Sequence, residues 1–492
     1  MTPDHVRLAI VGSGFSGLAM AAGLRRDGID DFVILEKAAD VGGTWRDNTY
    51  PGCQCDVPSH LYSFSFALNP DWSRTYSLQP EIERYLRRTA EELDLLRHVR
   101  FSSELLDASW DDTDKVWRVA TASGDLTCDV LVLGQGPLSE PRAPEITGID
   151  TFEGEVWHSA RWPEQATMQG RRVAVIGTGA SAIQIVPEIQ PEVAHLDVYQ
   201  RTAPWVLPHR DRPIRAWERA MYRRFPVLQR LVRAGVYWAR ELLIFGLAKD
   251  TKRLKGVERL ARRHIEKQVA DPELREKVTP TYTPGCKRLL PSNHWYPAIT
   301  SDNVELVTDP IVEITPTGVV TADGTERPCD TLVLATGFKV TNHPIGFRIK
   351  GRDGETLGDL WSRQGMQGYK GTTISGFPNL VMLSGPNTGI GHTSLVVMIE
   401  AQVDYVLDML RTLGRRAAAS FDVKPEVQAR FNDDLQKKMK RTVWNAGGCA
   451  SWYLDDHGRN TTLWPDFTFR FVRMTKRFDP DAYVLEPRTV AA

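Results

Sequence analysis

The chain has 492 residues, 42% of them hydrophobic and 25% charged, with a formal net charge of -1 at pH 7. That length is enough for about three domains of roughly 150 residues each, and the balance of charge and hydrophobicity excludes both the basic surface of a nucleic-acid binder and a disordered chain. A globular enzyme acting on a small molecule is expected, with no nucleic-acid partner.

The first element is an apolar run at 6–11, a strand, followed by Gly12-Ser-Gly14-Phe-Ser-Gly17 and a helix; the next apolar run ends at Glu36. In such a strand–turn–helix, Gly12 permits the tight turn, Gly14 lets backbone N–H groups approach a pyrophosphate, and Gly17 lets the helix pack closely on the strand. An acid at the end of the second strand can accept hydrogen bonds from an adenosine ribose. The pattern predicts an FAD site contacted by Gly12, Gly14, Phe15, Ser16, Gly17, Glu36 and Lys37. A glycine-rich loop at Gly42-Gly43, a helix at about 80–96, alternating segments near Trp110 and Trp117, and a strand at 130–133 complete a first unit over 1–140. Asp4 lies just ahead of the first strand, so no signal peptide is expected and a cytoplasmic location is.

Pro137, Pro141 and Pro144 then mark a connector. After a strand at 173–176 comes Gly177-Thr-Gly179-Ala-Ser-Ala182, and the run at 196–199 leads into Gln200-Arg201 where an acid would otherwise stand. A guanidinium can grip a 2'-phosphate that a carboxylate would repel. This predicts an NADPH site contacted by Gly177, Thr178, Gly179, Ala180, Ser181, Arg201 and Thr202, although Arg201 alone would also suit a solvated surface charge.

The NADPH unit is expected in two parts, 141–213 and 279–340, around an arginine- and aromatic-rich helical insertion at 214–278; residues 341–492 would return to the FAD domain through a strand at 379–384 and a helix at about 394–413. The fold class is therefore α/β, with two Rossmann-like dinucleotide-binding domains, for FAD and NADPH, and an inserted helical subdomain. The C-terminal tail shows no clear pattern. The stretch 231–248 contains Arg233, Arg240 and Glu241, so no membrane span is expected, and packed helices are favoured over a membrane-surface contact or a substrate channel for the insert. Cysteines at 53, 55, 128, 286, 329 and 449 lack metal-ligand spacing, so reduced thiols and no metal are expected.

Between the two fingerprints lies Phe152-x-Gly154-x-x-x-His158-x-x-x-Trp162-Pro163, which neither nucleotide site requires, and the first unit also carries Gly42-Gly43-x-Trp45-x-x-x-x-Tyr50-Pro51-Gly52-x-x-x-Asp56. At these residues the chain resembles the class B flavin-dependent monooxygenases and, within them, the type I Baeyer–Villiger monooxygenases, over nearly its whole length. The resemblance implies that NADPH reduces FAD, that O2 adds to the flavin C4a, and that an anionic peroxyflavin attacks a ketone to give an ester or lactone. It implies Arg288, in Thr283-Pro-Gly-Cys-Lys287-Arg288, as the active-site cation, Asp56 as the carboxylate that positions it, and Lys287 as an NADP contact. It adds Gly43, Thr44, Trp45, Asp56, Tyr62 and Arg288 to the cofactor contacts, places Trp452 over the nicotinamide, and makes His158 a hinge and packing residue. Taken alone, Arg288 would suit a surface salt bridge, Asp56 a turn acid, and Trp452 plain core.

Two departures stand out: Gln54 replaces an arginine common in the family, and Gly134-Gln-Gly136 replaces Ala-Thr-Gly. Competing readings are an N- or S-oxygenating flavin monooxygenase, against which Trp162-Pro163 argues, and a non-catalytic FAD/NADPH sensor. A disulfide reductase would need a redox cysteine where Trp45 stands. Neither the ketone nor the oligomeric state is readable.

Overall fold

A computed structural model of the chain describes residues 4–455 and 457–487. The strand Asp4–Val11 ends in four buried residues and leads through the glycine turn into the helix Phe15–Arg26. It pairs in parallel with Phe32–Leu35 on one side and Leu126–Leu133 on the other. This core belongs to an eight-stranded sheet in which Val116–Thr121 and Leu105–Asp111 add antiparallel strands. Because both faces of the parallel strands are covered, they read as continuous apolar runs rather than alternating ones.

A strand from the C-terminal part of the chain joins this sheet. Leu380–Met382 pairs in parallel with Leu126–Leu133, and the helix Leu395–Arg416, capped by Ser394, crosses Phe15–Arg26. Gly23 sets that crossing: a Cβ there would lie 2.7 Å from Val403 Cγ1.

A second sheet has five strands, all parallel, in the order Val304–Val307, His195–Tyr199, Arg172–Ile176, Thr331–Leu334, Glu155–His158. The fold is thus mixed α/β with two dinucleotide-binding folds. Helices Ala216–Arg224, Pro226–Glu241, Lys255–Gln268 and Pro272–Lys277 lie between the strands of the second fold in sequence. The tail, for which no pattern was apparent, holds the helices Pro425–Met439 and Thr468–Met474 and an antiparallel pair, Ala418–Val423 with Tyr483–Pro487. Among the described residues no helix is long and apolar enough to cross a membrane.

The expectation of reduced thiols fails at one pair. Cys286 and Cys449 are joined in a disulfide across 163 residues of sequence, a separation at which spacing carries no sign of pairing. Cys53, Cys55, Cys128 and Cys329 are free and buried.

Candidate functional site

The first glycine turn is as tight as its spacing predicts. Gly12 has φ +94°, which L side chains rarely adopt, and a Cβ on Gly17 would sit 1.8 Å from Gly12 O, so no larger residue fits between helix and strand. Gly43, with φ +54°, brings a second loop against the turn, its Cβ position 3.1 Å from Gly14 Cα. Together they form one cleft lined by Gly12, Gly14, Phe15, Ser16, Glu36, Lys37, Gly43, Thr44, Trp45 and Tyr62; Gly17 lies behind it.

Glu36 is buried at the cleft wall. Its carboxylate accepts from Ser13 N (3.0 Å), Ser13 Oγ (2.6 Å) and Ala38 N (2.9 Å), and pairs with Arg46 at 3.1 Å. Four partners fill a carboxylate's acceptor capacity, so a ribose would enter by displacing the Ser13 hydroxyl or the Arg46 guanidinium. Gln135, also in the lining, has a buried Oε1 with no hydrogen-bond partner. An orphaned acceptor of that kind is costly unless a ligand or water satisfies it. The turn, the acid and the orphaned amide fit a dinucleotide.

The second turn is more open. Gly177 has φ +114° and a Cβ position 2.6 Å from Ala335 O, but a Cβ on Gly179 would meet nothing within 4 Å. Thr178 Oγ1 donates to Thr202 O at 3.2 Å, tying the turn to the next strand end, while Gly179 and Ala180 are exposed and Ser181 is half-buried. Arg201 is exposed and has no ion pair among the described residues. Its charge reaches Lys287, whose ammonium is held below its usual value, first by burial and then by the like charge of Arg201. Two cations close enough to oppose each other's charge, with an open glycine turn preceding Arg201, fit the phosphates of NADPH.

Between the two folds Arg288 grips Asp56 with both ends of its fork: Nε donates to Oδ2 and Nη2 to Oδ1, each at 2.7 Å, while Nη1 donates to Ile390 O at 3.0 Å. The side chains are 28% and 26% exposed, so the pair is half-buried rather than fully in solvent. Burial opposes both charges, yet the Arg288 charge and hydrogen bonds outweigh it and hold Asp56 below the usual carboxylate range, and Asp56 raises Arg288 in return. Tyr62 borders the pair and the FAD cleft, its hydroxyl accepting from Trp45 Nε1 at 3.1 Å.

The loop that carries Asp56 is clamped to the second fold. A Cβ on Gly52 would fall 2.7 Å from Gln184 O, and Gln184 accepts from Tyr50 Oη at 3.1 Å and donates to Gln54 O at 2.9 Å. Gln54 itself binds Asp211 and Tyr76 O, so it serves the loop where an arginine was anticipated.

Three residues were missed, Tyr453 and Arg240 near the pair and Gln135 in the wall of the first cleft. Tyr453 is buried, and its hydroxyl is pushed up to about 12 by burial against the favourable charge of Arg288. Trp452 is 48% exposed, with its ring centroid 4.4 Å from that of Tyr453, which excludes the core reading. Arg240 donates through Nε to His392 O at 2.7 Å and has no ion pair among the described residues. Its charge is disfavoured first by burial and then by Arg288, with partial relief from Asp56. The third is Gln135. None is close in sequence to the Asp56 or Arg288 motif, so no spacing rule could have found them.

His158 is a packing residue here. Nδ1 accepts from Ala160 N and Nε2 bonds to Gly337 O, both at 3.1 Å, joining the sheet edge to the end of Thr331–Leu334. Cys53 and Cys55 are equally unsuited to redox exchange: burial pushes Cys53 up to about 12 and Cys55 higher still. His195, Asp197 and Glu305 cluster in the second sheet, but Glu305 is already paired with Arg327 at 2.6 Å.

The chain is similar to known proteins over nearly its whole length. Residues 5–241 match the flavin-binding monooxygenase-like family model. A Baeyer-Villiger monooxygenase of Pseudomonas aeruginosa is 50% identical over 99% of this chain and 93% of its own length. Among solved structures, OTEMO in complex with FAD and NADP superposes with a TM-score of 0.89 at 27% identity, covering 99% of this chain and 100% of the other. Cyclohexanone monooxygenase from Rhodococcus sp. Phi1 bound to NADP+ gives a TM-score of 0.87 at 28% identity over 99% and 100% of the two chains.

Proposed function

Because this chain belongs to the Baeyer–Villiger monooxygenase family, we propose that the Asp56–Arg288 pair is the centre at which it oxidises a ketone to an ester or lactone. The chain is an FAD- and NADPH-dependent monooxygenase. Bound FAD, reduced by NADPH, supplies from O2 the oxygen atom that enters the substrate.

The protein's part is binding, orientation and charge. Gly12, Gly14 and the N-terminus of Phe15–Arg26 hold the FAD pyrophosphate, with Phe15, Ser16, Lys37, Thr44, Trp45 and Tyr62 completing the wall and Glu36 taking the ribose. Arg201 and Lys287 receive the 2'-phosphate of NADPH against the open turn at Gly177, Thr178, Gly179, Ala180, Ser181 and Thr202. Trp452, exposed beside Tyr453, would cover the nicotinamide when NADPH is bound.

Arg288 carries a charge that cannot be lost. Oxygen transfer to a ketone would develop negative charge on oxygen, and a fixed guanidinium beside it would stabilise the transition state more than the ground state. Asp56 holds the guanidinium in one orientation while leaving part of it in contact with the site. The observation that carries the reading is this two-bonded pair at 2.7 Å, beside Tyr62 at the edge of the FAD cleft.

The test is turnover of cyclic, linear and aryl ketones under isotopically heavy O2. The expected product is an ester or lactone containing one labelled oxygen atom. Hydrogen peroxide alone from every ketone, or oxygenation confined to amines and sulfides, would overturn the reading in favour of the N- or S-oxygenating alternative or an oxidase.

A further inference from the structure

Nine of the twenty exposed large hydrophobic side chains among the described residues fall between Trp217 and Phe245. They are not scattered. On the helix Pro226–Glu241 and the residue after it, Val227, Leu231, Trp238 and Leu242 form a stripe at helical spacing, each 55–63% exposed, while Gln229, Arg233 and Arg240 point inward. Trp217 and Phe225 extend the surface along Ala216–Arg224, and Phe469 joins it from another helix, 6.1 Å between ring centroids from Trp238. So large an apolar surface on a folded chain ordinarily marks a binding face.

The charges on this face say what covers it. From Arg215 to Lys249 the sequence has eight cations and two acids, and both acids, Glu218 and Glu241, are buried. Arg219, Arg224 and Arg230 make no ion pair among the described residues. A second copy of the chain meeting this face about a two-fold axis would set these arginines against their own counterparts, with no exposed carboxylate on these helices to answer them. The exposed apolar residues lie along the outward side of the helix Pro226–Glu241 itself and continue onto Ala216–Arg224. Cations flanking an apolar stripe with a tryptophan toward each end are complementary to an anionic headgroup layer over acyl chains.

We propose that this face docks the enzyme in the plane of an anionic lipid surface. The stripe would enter the boundary between headgroups and chains, while the arginines engage lipid phosphates. The inward face of the same helix carries Arg240, which lies within the charge field of Asp56 and Arg288. The outward face of the helix would thus meet the lipid while its inward face looks toward the paired residues, and an apolar substrate dissolved in the bilayer would be delivered on the side of the molecule that leads to them. Docking itself does not depend on the ketone reading, because it is measured without turnover.

The experiment is co-sedimentation of the FAD-loaded full chain with vesicles of phosphatidylglycerol and phosphatidylcholine, against phosphatidylcholine alone, at low and high salt. The enzyme should sediment with the anionic vesicles at low salt and be released as salt rises. The Arg224→Gln/Arg230→Gln variant should bind about 25-fold more weakly, roughly fivefold per arginine. The Leu231→Ser/Trp238→Ser/Leu242→Ser variant should lose binding while keeping its flavin content and thermal unfolding. Failure of the parent enzyme to bind anionic vesicles at low salt, or unchanged binding by the triple variant, would overturn the proposal. So would a sedimentation-velocity dimer that the triple variant dissociates, which would assign the face to a second copy.

Discussion

The two glycine turns begin alike and then diverge. In each, the first glycine has positive φ and faces the backbone at the end of a parallel strand: a Cβ on Gly12 would lie 3.0 Å from Gly134 O, and one on Gly177 2.6 Å from Ala335 O. At the last position the first turn has Gly17, with no room for a methyl group, whereas the second has Ala182 with its methyl fully buried. The ribose readers differ in the same sense: Glu36 is buried among four partners, while Arg201 stands in solvent. A tight turn with a buried acid suits a cofactor that stays. An open turn with an exposed cation suits one that enters and leaves each cycle.

The largest effect should come from breaking the tight turn. Gly17→Ala forces a methyl into a backbone oxygen 1.8 Å away, and a loss of more than about 4 kcal/mol is expected, because the strand and helix must separate. Urea unfolding and flavin absorbance would show little folded flavoprotein. Gly14→Ala differs: its Cβ meets only ordinary contacts, the nearest being Gly43 Cα at 3.6 Å. That variant should fold and yet bind FAD poorly, since the methyl occupies the path to the pyrophosphate. In the open turn Ala182→Gly should cost only about 1 kcal/mol. If all three variants unfold alike, the contrast between the turns is wrong.

Next in size is Arg288→Ala. The variant should retain FAD and consume NADPH but lose about 10²–10³ in the rate of ester formation, with electrons diverted to hydrogen peroxide. Normal ester yield would return Arg288 to a structural role. Smaller again is Arg201→Ala, which should raise KM for NADPH about tenfold and leave NADH unchanged, because an exposed charge-assisted contact is worth the low end of its range. Equal losses with both nucleotides would mean that the open turn does not read the 2'-phosphate.

The sequence showed what repeats locally and hid what meets at a distance. Glycine spacing, strand periodicity and the acid-versus-arginine choice at strand ends are decided within a few residues, so both nucleotide folds could be read directly. The pairing of Asp56 with Arg288 came from family resemblance, since nothing local in Cys-Lys-Arg distinguishes a buried fork from a surface charge. Arg240 and Tyr453 approach the pair from separate stretches of chain, Gln135 lines the first cleft from another, and the Cys286–Cys449 bond joins two more. The apolar face of Pro226–Glu241 was visible as aromatic content, but which side of the helix it occupied required knowing that Arg233 and Arg240 turn inward.

The smallest predicted effect concerns the residue that positions Arg288. Asp56→Asn keeps one acceptor for the fork but removes the charge, so the ester-forming rate should fall about fivefold, the equivalent of one modest hydrogen bond. Part of the released electron flow should again appear as peroxide. A role confined to folding would lower stability without changing the ratio of ester to peroxide, and that ratio is the deciding measurement. The pH dependence follows from the sign of the shift. Burial acts to raise Asp56, but the charge and hydrogen bonds of Arg288 prevail and hold its carboxyl below the ordinary value. A carboxyl depressed in the folded state contributes stability above its unfolded pKa, and that contribution is lost as pH falls through the folded one. The stability difference between the parent and Asp56→Asn should therefore be constant from pH 8 down to about 5 and shrink only below about 4. A difference that already shrinks near pH 6 would mean that the carboxylate is not held by Arg288, and the ordering of the pair would have to come from the loop clamped at Gly52 and Gln184 instead.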